Sequence, residues 1–430
     1  MKKIIFIAFF VLLIPAVLFP QWVQLQSGTT LDLNDICFVN PSTGIAVGSN
    51  GKLIRTTNGG LNWTAIPLTT TQNILSTCFP AIETGYISGY TGFVLKTTNS
   101  GGNWISTSGC GINVFCISFL NANTGITGGS GTGGLMCHTT DGGLTFSPRY
   151  IPAPYLIFGM HYFSPSLLLV CGTDLGGAVI YKSTNSGNSF NVGLMLNNND
   201  LTVMYALNSV FFKNSNTGFA TGSRTVNGAN YADIYRSTNS GDSWNLHFNI
   251  GPDSGVSFNS VHFSDSLNGF AAGSKGKIVR STNGGDNWIV QNTGTSSTLN
   301  QIFMVNALTG YVCGNGGIIL KTTNGGITGF RPIGENISDK YELHQNYPNP
   351  FNPSTIIRFQ IKEKSYVSLK IFDVLGKEIE TLVNEYLNPG TYEIPFSIFH
   401  FNDYQNPSGI YFYKLIAGDF SETKKMMLIK

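Results

Sequence analysis

The sequence predicts an all-β chain: a seven-bladed β-propeller followed by a small Ig-like β-sandwich. Three observations lead there. An octapeptide, TTNGGLNW at 56–63, returns six more times at near-regular spacing. Each copy closes a unit of about 40 residues containing short apolar runs and turn signals, the signature of stacked supersecondary units. Charged residues number 23 in the 309 residues of 22–330 but 19 in the 90 of 341–430, so two differently built parts share the chain.

Residues 1–21 open with Lys2 and Lys3 and then run apolar from Ile4 to Phe19. That is the charged start and apolar core of a signal peptide, shorter than the ~20 residues a spanning helix requires. The reading is an exported protein with no membrane span in its mature form.

The octapeptide copies carry Asn58, Asn99, Asp141, Asn185, Asn239, Asn283 and Asn324 at their third position, in steps of 41, 42, 44, 54, 44 and 41. An Asx side chain can bond backbone N–H groups two residues on, and glycine supplies left-handed backbone. The eighth position holds Trp63, Trp104, Trp244 or Trp288 in four copies, an aromatic anchor for the turn. The pattern [ST]-x-[DN]-x-G-x-x-[WF] resembles the Asp-box of sialidases and related β-propellers. Its setting resembles the BNR-like repeats of the photosystem II assembly (stability) factor family.

Within the first unit, 33–40 reads as a strand, 44–48 as a second, 52–56 as a third and 62–66 as a fourth. Four strands per unit select a propeller over a barrel. Unit four is less regular, because LLLVCG lacks the TG that precedes the second strand elsewhere. The seventh octapeptide ends ITGF without an outer strand, whereas 22–34 matches 288–300. The start of the mature chain is therefore expected to complete the last blade of 22–330 and cover its open edge.

Residues 331–342 read as a polar linker. Beyond it, runs such as 355–361 and 366–373 alternate with period two, with Val367, Leu369 and Ile371 on one face. The motifs LHQNYPNPFNPSTIIRF (343–359), VSLKIFDVLGKEIETLVNEYLNPGTYEI (367–394) and SGIYFYKLIAGDFSETKKMMLIK (408–430) closely resemble the type A sorting domain of the type IX secretion system. The resemblance implies that 343–430 is an address read by an outer-membrane translocon.

The net charge of +2 gives no electrostatic case for nucleic acid. Seven cysteines leave at least one unpaired. Cys37 with Cys78, and Cys171 with Cys313, occupy matching repeat slots and read as small buried hydrophobes. A Cys110–Cys116 disulfide is a possibility in an exported chain. No metal-ligand spacing, phosphate loop or nucleophile motif is present, so no catalytic residue, metal or cofactor is nominated.

A sialidase would need an arginine trio and paired carboxylates. Arg55, Arg236 and Arg280 instead precede the octapeptide in a slot that Lys96, Lys182 and Lys321 fill elsewhere, and Glu83 is the only glutamate in 22–330. The chain reads as a secreted or cell-surface binding or scaffold protein for a protein or glycan ligand. The alternative is a divergent, sialidase-like glycan-active propeller. Unit five carries an insertion, SRTVNGANYAD at 223–233, flanked by long segments at 196–205 and 250–258. Read as loops, these nominate Arg224, Tyr231, Asp233, Asp200 and Asp253 as candidate ligand contacts.

Overall fold

The computed structural model describes residues 21–429 apart from 131–134, 153–155, 175–176, 198–202, 324, 327–338, 352–353 and 398–407. All of the predicted signal peptide but Gln21, and most of the predicted linker, lie outside the described residues, as do Asp200 and Asn324.

The fold is all-β, and the described helical segments are single 3-10 turns such as Ser49–Gly51. In the repeat region each sheet is an antiparallel meander. The first unit orders Leu33–Phe38, Gly44–Gly48, Leu53–Thr56 and Thr64–Ala65. The irregular fourth unit forms the same meander from Leu156–Ser164, Leu167–Asp174, Gly177–Ser183 and Asn191–Asn197. It joins the third unit's sheet through one pair, Ser130 with Leu156, making eight strands.

The first strands of successive units pack on one another in a cycle. Leu33–Phe38 meets Ile74–Cys78, which meets Asn113–Phe119, then Leu156–Ser164, Val203–Phe212, Phe258–Phe263 and Leu299–Met304. The last of these packs back on Leu33–Phe38. Between neighbouring sheets lie apolar cores such as Ile36, Ala46, Ile54, Tyr311 and Ile319, with residues from two units in each. Strand Val23–Leu25 pairs antiparallel with Ile319–Thr322, Val23 opposite Lys321. Trp22 is buried edge-on against Phe270.

The octapeptide turns have one geometry. The first-position hydroxyl accepts the N–H of the fifth residue in all seven copies, from Thr56 with Gly60 at 2.9 Å to Thr322 with Gly326 at 2.8 Å. The Asx Oδ1 accepts the N–H of the seventh, as Asn58 does from Asn62 at 3.0 Å. The Asx bond thus spans four residues rather than the two expected, because positions four and five are both left-handed. Ser100 tolerates position four at φ 55°, but position five is always glycine. A Cβ on Gly101 would stand 2.2 Å from Ile45 Cδ1 of the preceding unit. The tryptophans sit edge-on against the aromatic at or just past the end of their unit's first strand: Phe38 with Trp63, Phe79 with Trp104, Phe212 with Trp244 and Phe263 with Trp288.

The C-terminal region has two sheets. One orders Glu342–Leu343, Ser354–Ile361 and Gly390–Ser397; the other orders Glu378–Leu387, Ser365–Phe372, Gly409–Ala417 and Phe420–Leu428. Both contribute to one core, with Ile357, Phe359 and Ile394 from the first and Val367, Leu369, Ile371 and Tyr413 from the second.

The disulfide joins Cys110 to Cys137, with Cα atoms 6.0 Å apart, rather than to Cys116. Cys116 is buried and its thiol faces the Gly128 carbonyl, so it takes a core position. Cys37, Cys171 and Cys313 are buried and unpaired, and Cys78 is partly buried.

Candidate functional site

The repeat region has two faces. Octapeptide turns share one with the first-to-second-strand turns, as Gly59 N–H bonded to Ser42 O shows. Second-to-third-strand turns share the other with the connections between units, as in Gly51 N–H to Gln72 O.

On that second face the unit-five insertion departs from expectation. It is not a loop. Strands Gly218–Val226 and Ala229–Ser237 stay paired to Val226 opposite Ala229, turning through Asn227 and Gly228 at φ 49° and 81°. An Asn-Gly pair with both residues left-handed suits a two-residue hairpin whose twist matches the strands.

Pairing places Arg224 opposite Tyr231, with the guanidinium 4.7 Å from the ring centroid. Arg224 Nε also donates to Asp233 Oδ2 at 3.1 Å, and the Tyr235 hydroxyl lies 3.3 Å from the same oxygen. Asp233 is fully buried, and among the described residues its Oδ1 has no hydrogen-bond partner. Burial raises the Asp233 carboxyl above its ordinary range, and Arg224 and Tyr235 offset this only in part. Burial also works against the Arg224 charge, but Asp233 more than restores it. Burial, followed by the Asp233 charge, pushes the Tyr235 phenol up. A buried carboxylate of this kind needs its partner, because a lone buried charge is costly.

Asp253 sits beside this hairpin. Its N–H donates to Asn230 O, and Gly255 N–H donates to Asn230 Oδ1 at 2.9 Å. Its carboxylate meets Lys275 Nζ at 2.7 Å, an exposed pair worth about 0–1 kcal/mol. Arg224, Tyr231 and Asp233 therefore form one cluster with Asp253 on its flank.

The cations before the octapeptides have a different task. Arg55 Nε donates to Ser100 O, Lys96 Nζ to Gly142 O and Lys321 Nζ to Gly59 O, each reaching the next unit's turn. Lys182 and Arg236 instead pair with Asp242 and Asp286, at 2.6 Å each. They brace neighbouring units.

Sequence reasoning missed the polar stitching of the first strands. Asn34, Asn208, Asn259 and Asn300 share one repeat slot, and each donates to a carbonyl of the next unit's first strand. Asp35 is buried, accepting Ile36 N–H at 2.8 Å and Thr77 N–H at 2.7 Å. Burial pushes its carboxyl up to about 7 against those bonds. His161 and His262 share another slot and accept N–H groups of Phe212 and Met304. Aligning the repeats on the glycine that opens the second strand would have revealed the asparagine slot, which lies ten residues before it in each of the four units.

Among the described residues, no group of three or more His, Cys, Asp and Glu could hold a metal. A cavity of about 440 Å³ is lined by unit-six residues, including Arg280 and Trp288, and by C-terminal residues, including Lys370 and Glu378. Lys370 and Glu378 pair with each other at 2.8 Å, and Thr282 Oγ1 donates to Asn384 O nearby.

Two families match parts of the chain. Residues 14–109 match the family described as photosynthesis system II assembly factor YCF48. Residues 345–430 match the secretion system C-terminal sorting domain. The first two repeats are thus similar to YCF48 and the tail to the sorting domain. Among solved structures, YCF48 bound to D1 peptide is similar at TM-score 0.56 and 20% identity, over 72% of this chain and 99% of that one. YCF48 from Cyanidioschyzon merolae follows at 0.54 and 18%, over 70% and 98%. The WD40 β-propeller domain of Doa1 gives 0.53 at 11% identity, over 70% and 94%. These likenesses show the β-propeller fold. No curated protein matches the sequence.

Among the described residues, no helix is long and apolar enough to cross a membrane.

Proposed function

We propose that this chain is an exported β-propeller that binds a partner rather than transforming one, delivered by the type IX secretion system through residues 343–430. On this reading 22–330 form seven blades, closed by the N-terminal strand, and the tail is an Ig-like sandwich. The cycle of seven first strands and the shared core of the two C-terminal sheets support that division. The protein is released to the medium or held at the outer surface after passing the periplasm.

The observation that carries a binding role is the hairpin of unit five. A Tyr231 ring and an Arg224 guanidinium stand together on a two-stranded projection whose base is fixed by buried Asp233. Rigid aromatic and arginine groups supply contact area at little entropic cost, which is why they dominate binding hot spots. A protein ligand fits this pairing better than a glycan-active role, which requires facing carboxylates.

The test compares purified wild type with Tyr231→Ala, which leaves the Arg224–Asp233 pair in place. Pull-down against extracellular proteins and a glycan array should identify a protein ligand that the variant binds about tenfold more weakly. Unchanged binding in a variant of unchanged melting temperature rejects the site, and glycan turnover rejects the class.

A further inference from the structure

The two C-terminal sheets present unlike outer faces. Strands Ser354–Ile361 and Gly390–Ser397 expose no large apolar side chain among the described residues. Their outer face carries the Arg358–Glu393 pair, the ordinary dress of a solvated sheet. The other sheet departs from this. Since Val367, Leu369 and Ile371 point to the core, the alternate residues of Ser365–Phe372 point outward, and their cross-strand partners point with them.

Tyr366 lies opposite Tyr386, ring centroids 5.2 Å apart and edge to face, both exposed. At the far end Ile410 lies opposite Met427, again both exposed. Between these apolar ends is a basic middle. Lys370 lies directly opposite Lys414, and Lys425 opposite Phe412. Glu378 engages Lys370. Lys414 and Lys425 form no ion pair among the described residues.

Like charges directly opposite on neighbouring strands destabilise a sheet; Glu378 answers Lys370, which also lines the cavity beside unit six, but among the described residues no ion pair answers Lys414. Exposed apolar groups bracketing desolvatable cations are what an interface supplies and a solvated face does not. We infer that this face is the docking surface of the C-terminal domain, and that its occupant is an acidic protein surface of the export machinery. The proposal rests on the reading of 343–430 as an export address. The edge-to-face tyrosine pair and flanking aliphatics favour a protein over an anionic lipid, whose headgroups would need only the lysines.

The experiment uses the full chain in a bacterium carrying the type IX machinery and measures the fraction reaching the medium or outer surface. Lys414→Glu combined with Lys425→Glu should lower that fraction about tenfold, since reversing charge at a complementary interface repels the partner. Lys414→Arg should retain it, and Arg358→Gln on the opposite sheet should leave it unchanged. Tyr366→Ser should reduce it while leaving binding to anionic phosphatidylserine vesicles unaltered.

Melting of the purified Lys414→Glu/Lys425→Glu protein should be unchanged or raised, because the like-charge pair is relieved. Normal export of that variant, or an equal loss in Arg358→Gln, overturns the docking face. So does an export defect that follows vesicle binding alone. Deletion of 343–430 separates the two ideas: if export survives the deletion, the address reading itself fails. If export is lost on deletion but survives the lysine reversal, only the face is wrong.

Discussion

His161 Nδ1 accepts the backbone N–H of Phe212 at 2.7 Å, so a side chain of unit four completes the hydrogen bonding of unit five's first strand. His262 repeats the contact with Met304 of unit seven at 3.3 Å. His161 stacks on Phe211 at 4.7 Å between centroids, and His262 meets the same ring at 5.0 Å, tilted by 49°. A protonated imidazole carries a hydrogen on Nδ1 and would set N–H against N–H.

Acid should therefore loosen the ring. Burial lowers both imidazoles to about 4, with His161 adding to the effect at His262. The folded values lie below the ordinary 6.5, so the stability they contribute is complete above that pH and is lost as pH falls toward 4. The loss should be on the order of 3 kcal/mol per ring. His161→Asn with His262→Asn keeps an acceptor oxygen in place and removes the titration. Urea unfolding between pH 7 and 4 should show a flatter profile for this variant; an unaltered slope refutes the assignment. Asp35, raised to about 7, has the opposite sign: its stability is full below about 4 and declines as pH rises through 7.

The Arg224–Asp233 pair gives a second outcome. Arg224→Met leaves a carboxylate buried without its cation and should cost about 3–5 kcal/mol. Adding Asp233→Asn should restore most of that. Chemical denaturation of the single and double variants measures the coupling, and additive losses would show that the two side chains act independently.

A third concerns the fifth octapeptide position. Gly101→Ala combines left-handed backbone at φ 80° with a clash against Ile45, and should cost on the order of 3 kcal/mol. Gly111→Ala, at φ 71° with open space around the new carbon, should cost only about 1–2 kcal/mol. Equal losses would mean that the clash is relieved by movement of Ile45.

The fold class was legible because turn chemistry repeats in register and apolar runs between turns are too short for helices. Thr56 and Asn58 are named by the repeat itself, but the reach of their bonds depends on two successive left-handed residues that sequence spacing does not display. The length and polarity of the 223–233 insertion point to a loop although Asn227-Gly228 is a hairpin signal. Its polar residues hid the strand alternation, because Arg224 and Asp233 satisfy each other instead of facing water. The stitching by Asn34, Asp35 and His161 was not legible, since it depends on which side of a first strand meets the next unit. Cys110 joins Cys137 across an intervening strand pair, a connectivity that cysteine spacing does not encode.

Val23 stands opposite Lys321, so one sheet is assembled from segments about 300 residues apart in the chain. A ribosome delivers these two segments at different times, and until the later one arrives Val23–Leu25 has no strand to pair with. Anything that grips the leading segment, a chaperone or a transport channel, thereby holds the whole circle unlatched without touching any other part of it.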